Sequence, residues 1–262
     1  MLQRLRAFGP VRALRRERYR RWFASPAGYA ANWGVFATFA EAMASAPARG
    51  GFDQPRMADE YADRFDRIFA YDDPVLFWLE RAMQAGARRV LDVGGHVGVH
   101  FYAYRRRLCF PEGFSWCVAE VDAVARAGRA RAEAAGERAL SFTTSFEDLD
   151  ALRPDVVLSC GALQYVEEPL LWDVLSRAKQ KPAHVLLNKL TVYDGDDFVS
   201  LQNIGVGFAP HWVWNRRRLV ERFERAGYAL EDTWSVPERR FFLFDDPARS
   251  FGPYAGLCFA RW

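Results

Sequence analysis

Residues 90–100 read VLDVGGHVGVH: an apolar run, three glycines at 94, 95 and 98, then the start of a helical pattern. Glycine where a strand turns into a helix lets the backbone approach a ligand, and it leaves the helix N-terminus free to face an anion. Outward from this loop, the chain after Gly86 alternates between short β-branched or aromatic runs and helical segments. The runs are 89–93, 116–121, 140–143, 156–159 and 184–190, and the helical segments are 97–107, 122–135, 146–152 and 169–178. Such alternation implies parallel strands joined by right-handed helical crossovers. A further helix over 215–226 ends at Gly227, and two strand-like runs follow at 228–235 and 257–262. Only turn residues fill 237–253, so the last two strands are expected to pair antiparallel. The expected fold is α/β: a Rossmann-like seven-stranded sheet with helices on both faces, occupying residues 86–262.

Before the sheet, residues 29–83 carry apolar residues at helical spacing, over 33–46, 55–69 and 74–84. Residues 1–85 are therefore expected to form a helical extension covering the domain. Its first 25 residues hold eight arginines against one acid, with Leu2, Leu5, Phe8, Val11 and Leu14 at every third position. A basic amphipathic helix of this kind suits weak contact with an anionic membrane surface; the plainer reading is a solvated helix or tail. Half the chain is apolar, ample for a packed core, and the formal charge of +3 is too small to imply a nucleic-acid partner. Cys109, Cys117, Cys160 and Cys258 are scattered, with no CxxC and no histidine at zinc-ligand spacing, so neither disulfide nor metal is expected. The start lacks an apolar core of signal-peptide length and no run approaches a membrane span, which makes the cytoplasm the expected location. Nothing in the sequence sets an oligomeric state.

Three details narrow the ligand of the glycine loop. The dinucleotide fingerprint G-x-G-x-x-G is missing, because its second and third glycines, counted from Gly94, fall on His96 and Val99. A pyrophosphate then lacks its close backbone approach, whereas S-adenosylmethionine (SAM) brings only a carboxylate. Asp92, two residues before the first glycine, would repel a pyrophosphate but suits an ammonium, or orders the loop. The next strand ends at Glu120, which can accept hydrogen bonds from both ribose hydroxyls. The expected cofactor-binding set is Asp92, Gly94, Gly95, His96, Gly98 and Glu120, extended by Ser145 and Phe146 near the adenine and by Cys160 and Gly161 on the floor.

For catalysis the candidates are Gln164 and Tyr165, past the fourth strand of the sheet, and His211, beside Trp212 and Trp214. Glutamine is no base, so Gln164 would orient the acceptor. His211 reads equally as a base in a sugar-binding cleft and as a packed core histidine. Lys189, near a strand end, suits an acidic substrate, although an isolated lysine is more often solvated. His96 and His100 sit one helical turn apart without a third ligand, and Asp194, Asp196 and Asp197 around Gly195 are explained by a turn; no metal is assigned.

Taken together, VLDVGGHVGV, WCVAEV, PDVVLSCGALQYVEEP and SLQNIGVGFAPHWVW resemble a family of methyltransferases often encoded among bacterial polysaccharide-biosynthesis genes. The resemblance runs from Trp33 to the C-terminus. It implies the class I SAM-dependent methyltransferase fold, SAM as cofactor, and methylation, at oxygen, of a carbohydrate or other small-molecule acceptor in polysaccharide or secondary metabolism. Two rivals stand beside it. A catalytically inactive SAM-binding partner would keep the loop without turnover, and an NAD-type oxidoreductase would require the glycines this loop lacks.

Overall fold

The structure, a computed structural model, describes residues 9–48, 50–59 and 64–262, with Gly9 and Pro10 described as backbone alone. Its strands are β1 (Asn32–Phe36), β2 (Arg89–Val93), β3 (Ser115–Ala119), β4 (Leu140–Thr143), β5 (Val156–Cys160), β6 (His184–Leu190), β7 (Val192–Tyr193), β8 (Phe198–Asn203), β9 (Phe208–Asn215), β10 (Tyr228–Val236) and β11 (Tyr254–Arg261). The helices are α1 (Gly9–Phe23), α2 (Phe39–Ala44), α3 (Asp73–Gln84), α4 (Val99–Tyr104), α5 (Asp122–Ala134), α6 (Leu149–Leu152), α7 (Leu171–Arg177) and α8 (Arg216–Arg225).

Seven strands form the main sheet in the order β10-β11-β6-β5-β2-β3-β4, as expected, with only β11 running against its neighbours. Its centre reads as its burial requires. Every residue of β5 (VVLSC) is buried, and a strand covered by helices on both faces needs a continuous apolar run. Ser159 is tolerated there because its hydroxyl donates to the Val93 carbonyl at 2.9 Å. One face packs Leu91, Val157, Val185 and Leu187 against α7 and α8; the other packs Val90, Trp116, Val156 and Leu186 against α3 and α4. The order reverses between β2 and β5, and open α/β sheets take ligands at the carboxyl ends of strands at such a switch point. The loops after Val93 and Cys160 meet there.

A second, four-stranded sheet was not expected. It has the order β1-β8-β9-β7 and joins the N-terminal segment to the stretch between β6 and α8. Residues 33–46, read from the sequence as one helix, divide into β1 and α2. Gly34, at φ +76°, and an irregular register between Trp33 and Phe36 bend the strand away, and the Thr38 side chain then caps α2 by accepting from Glu41 N. Tertiary pairing with β8 overrides the local apolar spacing.

In α1 the stripe read from the sequence falls partly outside the described residues (Leu2, Leu5, Phe8), while Val11 and Leu14 are exposed. The helix is anchored instead by Phe23, fully buried against Trp33 and Phe208, and by Tyr19, stacked on Phe244 at 4.6 Å. No helix among the described residues is long and apolar enough to cross a membrane.

Candidate active site

At the switch point the loop after β2 is built around a buried acid. Asp92 is fully buried; its Oδ2 accepts from His100 Nδ1 at 2.9 Å and Trp116 Nε1 at 3.3 Å, and its Oδ1 has no partner. The backbone wraps the carboxylate so closely that a Cβ on Gly95 would stand 2.2 Å from Oδ2. A Cβ on Gly94, at φ +74°, would stand 2.0 Å from the Ala162 Cβ across the switch point. Gly95 is required by close approach, and Gly94 by close approach and by conformation. Asp92 therefore orders the loop from beneath and does not line the cavity above it; His100 stands on the cavity wall in its place.

His96 takes φ +56°, a left-handed conformation uncommon outside glycine. Its ring is buried and Nε2 donates to the carbonyl of Met57, a residue of the N-terminal cover. Burial lowers its pKa to about 4, which favours the neutral ring. The His96 backbone N–H donates to Glu120 Oε1 at 3.2 Å, and Val121 N–H donates to Oε2 at 2.8 Å. Burial nevertheless raises the Glu120 carboxyl to about 7, the two backbone donors only partly opposing it. Gly98, at φ +88°, stands at the N-cap of α4.

Above the loop lies a cavity of about 450 Å³. Of the residues expected to bind the cofactor, Gly94, His96, Glu120, Phe146, Cys160 and Gly161 line it. Gly95, Gly98 and Ser145 do not. Ser145 is exposed, its hydroxyl accepting from Glu147 N, and Thr144 lines the cavity beside Phe146 instead. Burial pushes the Cys160 thiol far up, so it is a wall and not a nucleophile.

Both Gln164 and Tyr165 reach the cavity, on a 3₁₀ turn after β5. Gln164 Nε2 donates to the Gly161 and Lys189 carbonyls at 3.1 and 3.5 Å, which leaves Oε1 buried without a partner. The Tyr165 hydroxyl donates to Gln202 Oε1 on β8. His211 lies elsewhere. It is 1% exposed within β9, off the cavity wall, between the rings of Tyr165 and Phe241, and neither ring nitrogen has a hydrogen-bond partner. Burial lowers its pKa to about 3. This is the packed histidine of the two sequence readings.

Further contacts join distant segments beside the cavity. The Tyr104 hydroxyl donates to Asp72 Oδ1 at 3.0 Å, and Asn188 Nδ2 donates to the Tyr71 carbonyl at 2.8 Å, which ties the cover to α4 and β6. The acids at 194–197 face away from this site: Asp197 pairs with Arg222, and Asp196 with Arg218 at 2.9 Å. Among the described residues no group of three or more His, Cys, Asp or Glu side chains could hold a metal.

No protein-family model matches the chain, and no curated protein matches it. Solved structures do resemble it. The CcbJ methyltransferase from Streptomyces caelestis aligns with a TM-score of 0.49 and 18% identity over 78% of this chain and 97% of that one. The N-terminal domain of EvdMO1, crystallised in the presence of S-adenosylhomocysteine (SAH) and D-fucose, gives 0.48 and 19% over 81% and 99%. The Burkholderia thailandensis 1,6-didemethyltoxoflavin-N1-methyltransferase gives 0.45 and 17% over 82% and 93%. In this chain β11 alone is reversed, beside β10, in an otherwise parallel sheet of seven strands.

Proposed function

We propose that the chain is a SAM-dependent methyltransferase acting on a small-molecule acceptor. The observation that carries the reading is the arrangement at the switch point: a glycine loop folded over buried Asp92, with the Glu120 carboxyl one strand away and both beside a single cavity. The residues fit the cofactor. Glu120 is bonded only to backbone N–H groups, so lone pairs remain on both oxygens for ribose hydroxyls. Val121, Thr144 and Phe146 would flank the adenine, and the loop at 94–98 would receive the methionine end. A dinucleotide fits poorly, because the positions of its second and third fingerprint glycines hold a buried histidine and the first residue of α4.

SAM supplies an electrophilic methyl group, so the protein's task is to hold an acceptor atom in line with it and exclude water. Gln164 serves the first need. Its buried, unpartnered Oε1 would accept a hydrogen bond from an acceptor hydroxyl, and its Nε2 is already committed, so the amide cannot turn away. Tyr165, held by Gln202, would set the opposite side. The reading extends to a carbohydrate acceptor methylated at oxygen, on the resemblance to polysaccharide-cluster methyltransferases.

Calorimetric titration with SAH, SAM and NADH tests the cofactor. SAH should bind at micromolar affinity; binding of NADH without SAH would overturn the reading. Formation of SAH from SAM with any acceptor would remove the inactive-partner alternative.

A further inference from the structure

The cavity wall carries a cluster of cations. Lys189, Arg239, Arg240, Arg64 and Arg67 all line it, and among the described residues the acids of the lining are Asp72 and Glu120. Asp72 is committed: its oxygens accept from the Tyr104 hydroxyl and from Phe69 N. Lys189 and Arg239 form no ion pair among the described residues. Among the described residues the Lys189 ammonium has no hydrogen-bond acceptor, and it lies over the Tyr71 ring at 5.2 Å. Arg239 lies close enough to that same tyrosine to oppose the rise that burial gives its hydroxyl pKa. Tyr71 in turn stacks on Phe69 at 5.1 Å, and Arg67 covers Phe69 at 5.1 Å.

Lys189 is also held at some cost. It takes φ +57° at the end of β6, where a lysine is strained. Asn188 enforces this: its Oδ1 accepts from Lys189 N at 2.9 Å and from Trp234 Nε1 at 3.0 Å. The lysine stem passes under Gly161, whose absent Cβ would meet it at 3.3 Å. A solvated lysine needs none of this. Burial and the neighbouring guanidinium groups of Arg239 and Arg64 disfavour its charge, and an anion among them would reverse that.

Building on the methyltransferase reading, we propose that the acceptor is acidic, and that Lys189 and Arg239 clamp its carboxylate or phosphate group against Tyr71. The charge of the cofactor gives the same answer. A sulfonium is repelled by an unfilled cationic wall, and an anionic acceptor removes the repulsion while directing its nucleophilic atom toward Gly161 and Gln164.

Inorganic phosphate is the probe, compared with chloride at matched ionic strength on the full chain. Phosphate should raise the thermal midpoint of the cofactor-free protein and tighten SAM binding more than SAH binding. In Lys189→Met and Arg239→Gln the apparent phosphate affinity should fall at least about tenfold, a loss readable from the linkage between ligand and stability. Should Lys189→Met fail to fold, Arg239→Gln decides alone. No phosphate effect on the wild type, or an equal effect in Arg239→Gln, overturns the proposal. Because the thermal shift needs no cofactor, failure to bind SAH would sink the methyltransferase reading separately. In the assay for turnover, glucose 1-phosphate and glucuronate in place of glucose separate a phosphate from a carboxylate source.

Discussion

Replacing Glu120 by glutamine removes the charge and half of the acceptor capacity at one point of the cofactor site. The carboxylate oxygens accept from His96 N at 3.2 Å and Val121 N at 2.8 Å. A glutamine keeps one oxygen and turns an NH₂ toward the other backbone donor, so one N–H loses its acceptor as the ribose loses a charged partner. Hydrogen bonds to charged groups contribute about 1.5–3 kcal/mol each. Two are weakened and one neutral bond is retained, so about 2–4 kcal/mol of SAH affinity should be lost, or about 30- to 1,000-fold in Kd. A second signature concerns protons. Burial raises the free carboxyl to about 7, while ribose hydroxyls donate to the ionised form, so SAH binding just below neutrality should expel a proton. The sign can be checked in the free protein. A carboxyl raised above its unfolded value of 4.5 contributes stability that is fully present below 4.5 and lost as pH rises through about 7. Stabilisation by SAH should therefore grow across neutrality. Calorimetry in buffers of different ionisation enthalpy, on either side of neutrality, measures both quantities. An SAH affinity for Glu120→Gln within about threefold of wild type, or the same proton release in the variant, would refute the reasoning.

Gly95→Ala drives a methyl into the Asp92 carboxylate; a loss of about 1–3 kcal/mol in denaturant unfolding is expected, together with weaker SAH binding. A variant of wild-type stability would mean that the loop is not wrapped as described. His100→Ala strips one of two donors from fully buried Asp92 and should cost about 1–3 kcal/mol, whereas His100→Asn should restore part of it. His211→Phe should retain the fold, because neither ring nitrogen is bonded. Its pKa is depressed to about 3, so its share of stability is present above 6.5 and lost as pH falls toward 3. The variant should therefore show a shallower decline of Tm between those values, worth at most about 5 kcal/mol; an unchanged acid decline would count against the buried placement. Gln164→Leu should leave SAH affinity near wild type and lower kcat, since Oε1 faces the acceptor; equal loss of SAH binding would reassign the residue to the cofactor.

The main sheet was legible because its signals are local. Apolar runs such as VVLSC, glycines between strand and helix, and Gly227 closing α8 each follow from a few adjacent residues. Glu120 was legible for the same reason, as the residue just past β3. The second sheet was not. Asn32–Phe36 reads as part of a helical pattern until Leu201 and Gln202 stand opposite it. Asp92 was recognised as part of the loop, but its depth beneath Gly95 depends on packing that no spacing reveals. Tyr71, Asp72, Tyr104 and Arg239 become a site only by convergence from three segments, so no single window of sequence contains them. Conversely, Ser145 was one residue from the wall that Thr144 and Phe146 form, which reflects the ordinary uncertainty of where a loop side chain points.

The pairing of β1 with β8 joins residues that are neighbours in space but far apart along the chain, Asn32 facing Gln202. Closing so long a loop is entropically costly and returns little until the rest of the chain is in place. This seam is therefore expected to knit late in folding and to open early. Gln202 is also the residue that holds the Tyr165 hydroxyl, so the seam reaches into the acceptor end of the cavity. Loosening of this seam would therefore release the Tyr165 ring along with the strand that holds it.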